Sequence, residues 1–152
     1  MEKVKTSVPH AAGEMYKNLK MGESAILDLM PKVTDEGLRE DMLKQLEGYR
    51  RFADDAKELL DCEHREAKEA GVFAKMGSKM GIAMNTMMDS TSSHIAEMII
   101  EGSTMGITDQ TRILHELEDV DKDEPHYSEA TDLAKKIISF EQKNIEVMKT
   151  YL

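Results

Sequence analysis

The chain has 152 residues, the length of one ordinary domain, with 30 acidic and 20 basic residues and a formal net charge of −10. This acidic balance argues against binding to nucleic acid or to an anionic membrane, because both need a basic protein surface. Cys62 is the single cysteine, which excludes an internal disulfide and fits a reducing compartment. No apolar run reaches the roughly 18 residues of a membrane span. We therefore expect one cytoplasmic domain, residues 1–152, that binds neither nucleic acid nor membrane.

Apolar residues recur at spacings of three and four along most of the chain, which predicts helices and no strands. One such series is Leu38, Met42, Gln45, Tyr49, Phe52 and Ala56. Helix-capping and helix-breaking residues divide the chain into four predicted helices. The first covers about 8–30, from Ser7 and Pro9 to a stop at Pro31; the second covers 35–70, capped by Thr34 or Asp35 and ended by Gly71; the third and fourth cover 81–118 and 125–151.

Short polar connections between these helices favour an all-α, antiparallel four-helix bundle. Such a bundle resembles the ferritin-like superfamily in architecture, and the resemblance covers the whole chain. In ferritin-like proteins with a dinuclear metal centre, two helices each supply a glutamate and the other two each supply a Glu-x-x-His pair. This sequence contains no Glu-x-x-His within a helix, and Asp61 with His64 is the nearest approximation.

Residues 89–107, with the sequence DSTSSHIAEMIIEGSTMGI, contain the best candidate metal ligands. His94 and Glu97 have the family's spacing in reverse order, and Glu101 lies one further turn along the same face. A turn centred near residue 121 would place Glu101 opposite Glu141. Glu23, the best inward carboxylate of the first helix, joins them only if the chain crosses the bundle between the second and third helices. These five residues form the iron or manganese site of an alternative interpretation; the first interpretation places Glu97, Glu101 and Glu141 at the solvated edges of the packing stripe.

Small residues in the same stretch favour close packing instead. Gly102 and Gly106 each cost a helix about 1 kcal/mol relative to alanine, so we expect another helix to lie close to them, within the bundle or across a dimer interface. Met84 and Met88 belong to a methionine series that precedes this stretch. Methionines of this kind suit a bundle core, an adaptable partner groove or, as soft thioethers, Cu(I). We assign these four residues to close packing or an interface.

Two functions follow from these alternatives. The first is a non-catalytic helical bundle, without a cofactor, that acts by self-association or by binding a protein partner. The second is a ferritin-like carboxylate and histidine protein that binds iron or manganese, with the capacity for redox chemistry. The metal content of purified protein would separate them.

Overall fold

The computed structural model describes residues 7–61 and 89–152, and these residues form a four-helix, all-α bundle without strands. The helices are α1 (Val8–Leu29), α2 (Glu36–Asp61), α3 (Ser92–Leu117) and α4 (Tyr127–Lys149), and a short 3-10 turn, Met30–Lys32, follows α1. The predictions for Cys62, His64, Met84 and Met88, and for the segment around Gly71, lie outside the described residues.

The first two helices begin where the sequence predicts. Ser7 caps α1, since its Oγ accepts a hydrogen bond of 3.2 Å from the backbone N–H of His10, and Pro9 occupies the first turn. Of the two candidate caps for α2, Asp35 performs the role: its Oδ1 accepts from the N–H of Leu38 at 2.9 Å. Local side-chain caps mark both helix starts, and at α1 the backbone N–H of Val8 also donates to Glu124 Oε1 at 3.3 Å.

The third helix begins later than predicted, at Ser92 instead of about residue 81, because residues 89–91 are not helical. Thr91 Oγ1 accepts from the backbone N–H of His94 at 3.3 Å, and Asp89 Oδ1 accepts from the N–H of Thr91 at 2.9 Å. These bonds satisfy N–H groups at the start of α3 and offer the backbone an alternative to the helix. The Asp-Ser-Thr-Ser run is therefore a capping segment.

The fourth helix also starts slightly late, at Tyr127 instead of Pro125. His126 adopts a left-handed backbone conformation with φ of 66°, which ends the acidic turn and sets the direction in which α4 begins. The helix then continues to Lys149, close to its predicted end.

The apolar stripes of the four helices meet in one core, in which α1 packs on α2 and α3, and α4 packs on α3 and α2. Fully buried side chains include Met15, Leu19, Met42, Ile95 and Ile137. Several polar side chains lie among them, and these are Glu23, Gln45, Ser103, Gln110, Glu141 and Asn144. Buried polar groups are costly unless they are paired, so their partners indicate where a site could lie.

Candidate functional site

A buried carboxyl and a buried phenol meet across the centre of the bundle. Tyr49 of α2 donates its hydroxyl to Glu141 Oε2 of α4 at 2.8 Å, and both residues are 4% exposed. Each side chain lies on the inner stripe of its helix, among the residues of the core. The bond therefore belongs to the core and not to the surface.

Two glycines make room for this pair. A Cβ added to Gly22 of α1 would lie 2.5 Å from the Tyr49 ring, and one added to Gly106 of α3 would lie 2.9 Å from Glu141 Oε1. Any larger residue would displace the ring or the carboxyl. Gly22 and Gly106 thus hold the space that Tyr49 and Glu141 occupy.

The charge state of Glu141 is set by its burial. Burial raises the pKa of its carboxyl to about 7, and hydrogen bonding with Tyr49, Ser103 and Asn144 offsets only part of that rise. The pKa of Tyr49 is raised well above its ordinary value, by its own burial and by the neighbouring carboxyl. Glu141 therefore exchanges its proton near neutral pH, while Tyr49 keeps its proton and remains a donor.

Other buried polar atoms beside this pair have unused hydrogen-bonding capacity. Ser103 and Asn144 are close enough to lower the pKa of Glu141, yet Ser103 Oγ and Asn144 Nδ2 complete no hydrogen bond of normal geometry with the described residues. The side-chain amide groups of Gln45 and Gln110 also have no hydrogen-bond partner among the described residues. A water or a ligand group is the usual partner of such atoms.

A cleft between α1 and α3 opens onto the pair. Its volume is about 310 Å³, at the lower end of the range for ligand pockets. Tyr49, Ser103 and Glu141 are neighbours in its lining, and we call this group the polar end of the cleft. Gly102 and Gly106 leave part of the α3 lining without side chains. Its walls are mainly apolar, and they include Met21, Ile26 and Leu29 from α1 and Met98, Ile99 and Met105 from α3. This is the arrangement of a binding site with a few polar groups at one end.

The second buried carboxylate, Glu23 of α1, is paired with cations. Lys20 Nζ donates to Glu23 Oε2 at 2.8 Å, and Arg50 Nε of α2 donates to Oε1 at 3.1 Å. Burial by itself raises the pKa of Glu23. The hydrogen bonds and charges of Lys20 and Arg50 together lower it by more than burial raises it, so the pKa lies below its ordinary value. Glu23 is consequently ionised and already neutralised.

The structure does not bring the five predicted metal ligands together. Within residues 7–61 and 89–152, no three histidine, cysteine, aspartate or glutamate side chains are grouped closely enough to hold one ion. His94 and Glu97 form an exposed pair, with 3.9 Å between Nδ1 and Oε2, and Glu101 is exposed. Glu141 faces Gly106 instead of Glu101. The residues of this set thus lie in separate environments.

The two predicted packing glycines differ from each other. Gly106 is closely contacted, but by the side chain of Glu141 and not by a helix backbone. At Gly102 an added Cβ would have no described atom within 4 Å, so the close helix crossing expected there is not found among the described residues. Gly102 instead lines the open cleft.

Sequence reasoning missed Tyr49, Gly22 and Ser103 as members of a site. Glu141 carried a signal, since it interrupts an apolar stripe that contains Ala134, Ile137 and Met148. Tyr49 carried none, because a tyrosine in an apolar helix stripe is ordinary core. The pairing depends on which helices are neighbours, and one sequence does not give that order.

Comparison with protein-family models, with curated proteins and with solved structures finds no match for this chain. The ferritin-like resemblance therefore gains no support from a relative. Among the helices that the structure describes, none combines the length and apolar character needed to cross a membrane.

Proposed function

We propose that this protein acts by binding, and that the cleft between α1 and α3 holds a small, mainly apolar molecule. The observation that carries this proposal is an apolar cleft of about 310 Å³ that ends at the Tyr49 and Glu141 pair. Apolar walls supply affinity, and a few polar groups at one end supply orientation. Methionines at 21, 98 and 105 allow the walls to adapt to the shape of the ligand.

The absence of a side chain at Gly102 supports the same proposal. A helical glycine costs stability, and the described residues contain no atom that needs the space beside it. The glycine instead keeps the cleft open. Met105 at the cleft is 58% exposed, which leaves an apolar wall accessible to a ligand from solvent.

Self-association and protein-partner binding remain predictions. The same cleft would serve either, because an apolar surface that binds a small molecule also binds apolar side chains. A second copy as the occupant would make the apparent mass depend on protein concentration. Light scattering after size exclusion measures this, and a monomer over the accessible range would favour the small-molecule proposal.

The arrangement of the helices is proposed to be antiparallel and ferritin-like. Gly13 lies beside Leu60 and Gly22 beside Tyr49, which supports opposite directions for α1 and α2. Tyr49 bonds to Glu141, and the Tyr151 hydroxyl donates to Asp41, which supports opposite directions for α2 and α4.

The short connection between α3 and α4 favours opposite directions for those two helices as well. On this arrangement α2 and α3 run in the same direction, so the end of α2 and the start of α3 lie at opposite ends of the bundle. Glu23 and Glu141 then lie at a similar level, since their partners Arg50 and Tyr49 are adjacent in α2.

The binding proposal is tested with N-phenyl-1-naphthylamine, a neutral apolar fluorophore that brightens in apolar sites. We expect saturable binding at one site per chain. Gly102→Leu should fill the cleft and abolish binding, because the added side chain has open space to enter. Thr104→Leu is the matched control, since it adds the same side chain at an exposed position of α3 outside the cleft. Absence of binding to the wild type, or equal binding to all three proteins, would refute the proposal.

A further inference from the structure

The charges around the cleft are of one sign. Its lining contains the carboxyl groups of Glu101, Asp109 and Glu141 and, among the described residues, no lysine, arginine or histidine. Asp109 is compensated by Arg112 at 3.1 Å on the surface, whereas Glu101 and Glu141 have no cationic partner among the described ion pairs. An anionic ligand would be repelled by this lining, and a cationic one attracted.

The polar end of the cleft offers acceptors. Glu141 Oε2 already accepts from Tyr49, and Oε1 is the carboxyl oxygen beside Gly106 in the lining. Ser103 Oγ, in a residue 1% exposed, lines the cleft and has no hydrogen-bond partner of normal geometry among the described residues. A protonated amine carries three donors and no acceptor, which matches a carboxylate oxygen and a hydroxyl oxygen placed together.

The geometry points to a cationic amphiphile as the ligand of this cleft: a molecule with an apolar body between α1 and α3 and a protonated amine at Glu141. This inference rests on the proposed binding function and names its ligand class. The apolar walls and the acidic end account for the two parts of such a molecule. Fatty acids, which share the apolar body, would place a second carboxylate against Glu141 and are disfavoured.

Binding of such a ligand is linked to the proton on Glu141. Burial raises the pKa of Glu141 to about 7, so the free site is partly protonated at neutral pH. The other ionisable groups that face the cleft are Tyr49 from α2 and Glu101 and Asp109 from α3, while the part of α1 that lines it contributes no ionisable side chain. Glu23 on α1 is occupied by Lys20 and Arg50. A bound ammonium favours the ionised carboxyl, so its binding strengthens as pH rises through the pKa of Glu141.

The test compares octylamine, 1-octanol and octanoate, which share one chain length and differ in the head group. Each displaces N-phenyl-1-naphthylamine from the wild type, from Glu141→Gln and from Glu47→Gln. The last is the control for general acidic charge, because Glu47 is exposed on α2 and does not line the cleft. At about pH 8 we expect octylamine to compete at least about tenfold better than octanol, and octanoate to compete worst. At about pH 6 the advantage of octylamine should fall roughly tenfold, because the ionised fraction of Glu141, with a pKa of about 7, falls by that factor between pH 8 and pH 6. Glu141→Gln should remove the advantage at both pH values, and Glu47→Gln should retain it.

The outcomes separate the two proposals. Suppose that the three head groups compete equally and that Gly102→Leu still abolishes fluorophore binding. The cleft would then remain a binding site, and the inference that its ligand carries an amine would be overturned. An advantage that survives unchanged in Glu141→Gln would also overturn the inference. If the fluorophore does not bind the wild type, the binding proposal is refuted, and the amine inference that rests on it fails as well.

Discussion

Two buried glutamates of this bundle have opposite chemistry. Glu23 and Glu141 are 9% and 4% exposed, and both lie on the inner stripe of their helices. The pKa of Glu23 is lowered, while the pKa of Glu141 is raised to about 7. Burial acts on both in the same direction, so the difference arises from the neighbours.

Long cationic side chains reach Glu23, and none of those within residues 7–61 and 89–152 reaches Glu141. Lys20 and Arg50 are 34% and 54% exposed, and each extends from the surface to the edge of the core to meet Glu23. Glu141 lies deeper and meets the neutral hydroxyl of Tyr49. In the described part of the chain, cations therefore neutralise Glu23, whereas Glu141 is left to a proton or, as we propose, to a ligand.

The largest expected difference between the two glutamates is in how they make the stability of the protein depend on pH. The folded pKa of Glu141 is above its unfolded value, so its contribution is complete below the unfolded pKa and is lost as pH rises through about 7. We expect the free energy of unfolding to fall by about 2 to 3 kcal/mol between about pH 5 and pH 8, because each tenfold change in proton affinity corresponds to about 1.4 kcal/mol. Urea unfolding across this range measures it.

Glu141→Gln should remove that pH dependence, because glutamine does not titrate. Glu23→Gln is the matched control. In the wild type the lowered pKa of Glu23 contributes stability that is lost only as pH falls below the ordinary range of a carboxyl. Above about pH 5, the free energy of unfolding of Glu23→Gln should therefore change with pH as steeply as that of the wild type. Parallel curves for the wild type and Glu141→Gln would contradict the assignment.

The next largest effect is on the room beside Glu141. Gly106→Leu should destabilise the protein by about 1 to 3 kcal/mol, because its Cβ meets the Glu141 carboxyl at 2.9 Å. Gly102→Ala should instead stabilise it, by up to about 1 kcal/mol, through helix propensity in open space. Denaturant melts compare the two, and size exclusion should show no change in mass because Glu141 belongs to the same chain. A Gly106→Leu protein as stable as the wild type would show that the carboxyl is not confined there.

A smaller effect is expected at Glu23. Arg50→Met should cost less than about 1 kcal/mol, because the guanidinium is half exposed and Lys20 remains on the carboxylate. Thermal melts at low and high salt check this, and the difference between wild type and variant should shrink in salt. A loss of several kcal/mol would mean that Glu23 depends on a single cation.

No effect on stability is expected from a chelator. A metal bound to the folded state would add stability that grows with the ratio of free metal to its dissociation constant, and its removal would lower the melting temperature. The described residues do not group three ligand side chains, so we expect the melting temperature to be unchanged. A fall of many degrees, together with iron or manganese in the purified protein, would favour the metal-binding alternative.

Much of the fold is accessible from the sequence because its signals are local. Ser7 and Asp35 cap helices as predicted, since a cap involves only residues within one turn. The start of α3 is the exception. The sequence places Thr91 and its neighbouring serines inside a predicted helix, whereas in the structure Thr91 caps the start of α3. Local polar chemistry outweighs the apolar periodicity there.

The site depends on relations between helices, which the sequence specifies poorly. Glu141 is predicted to meet Glu101, but Gly106, five residues further along α3, lies beside it instead. The two glycines are unusual within a helix, as the sequence indicates, yet one makes room for a side chain and the other opens a cleft. Only the packed structure separates these roles.

The different titration of Glu23 and Glu141 can be measured directly by ¹³C NMR of the glutamate carboxyl carbons as a function of pH. Glu141→Gln and Glu23→Gln assign the two signals. We predict that Glu141 titrates near pH 7 and Glu23 below the ordinary range, and that saturating octylamine lowers the midpoint of Glu141 by about one pH unit or more while that of Glu23 is unchanged. A Glu141 midpoint at an ordinary carboxyl value, or one that octylamine does not move, would contradict the account.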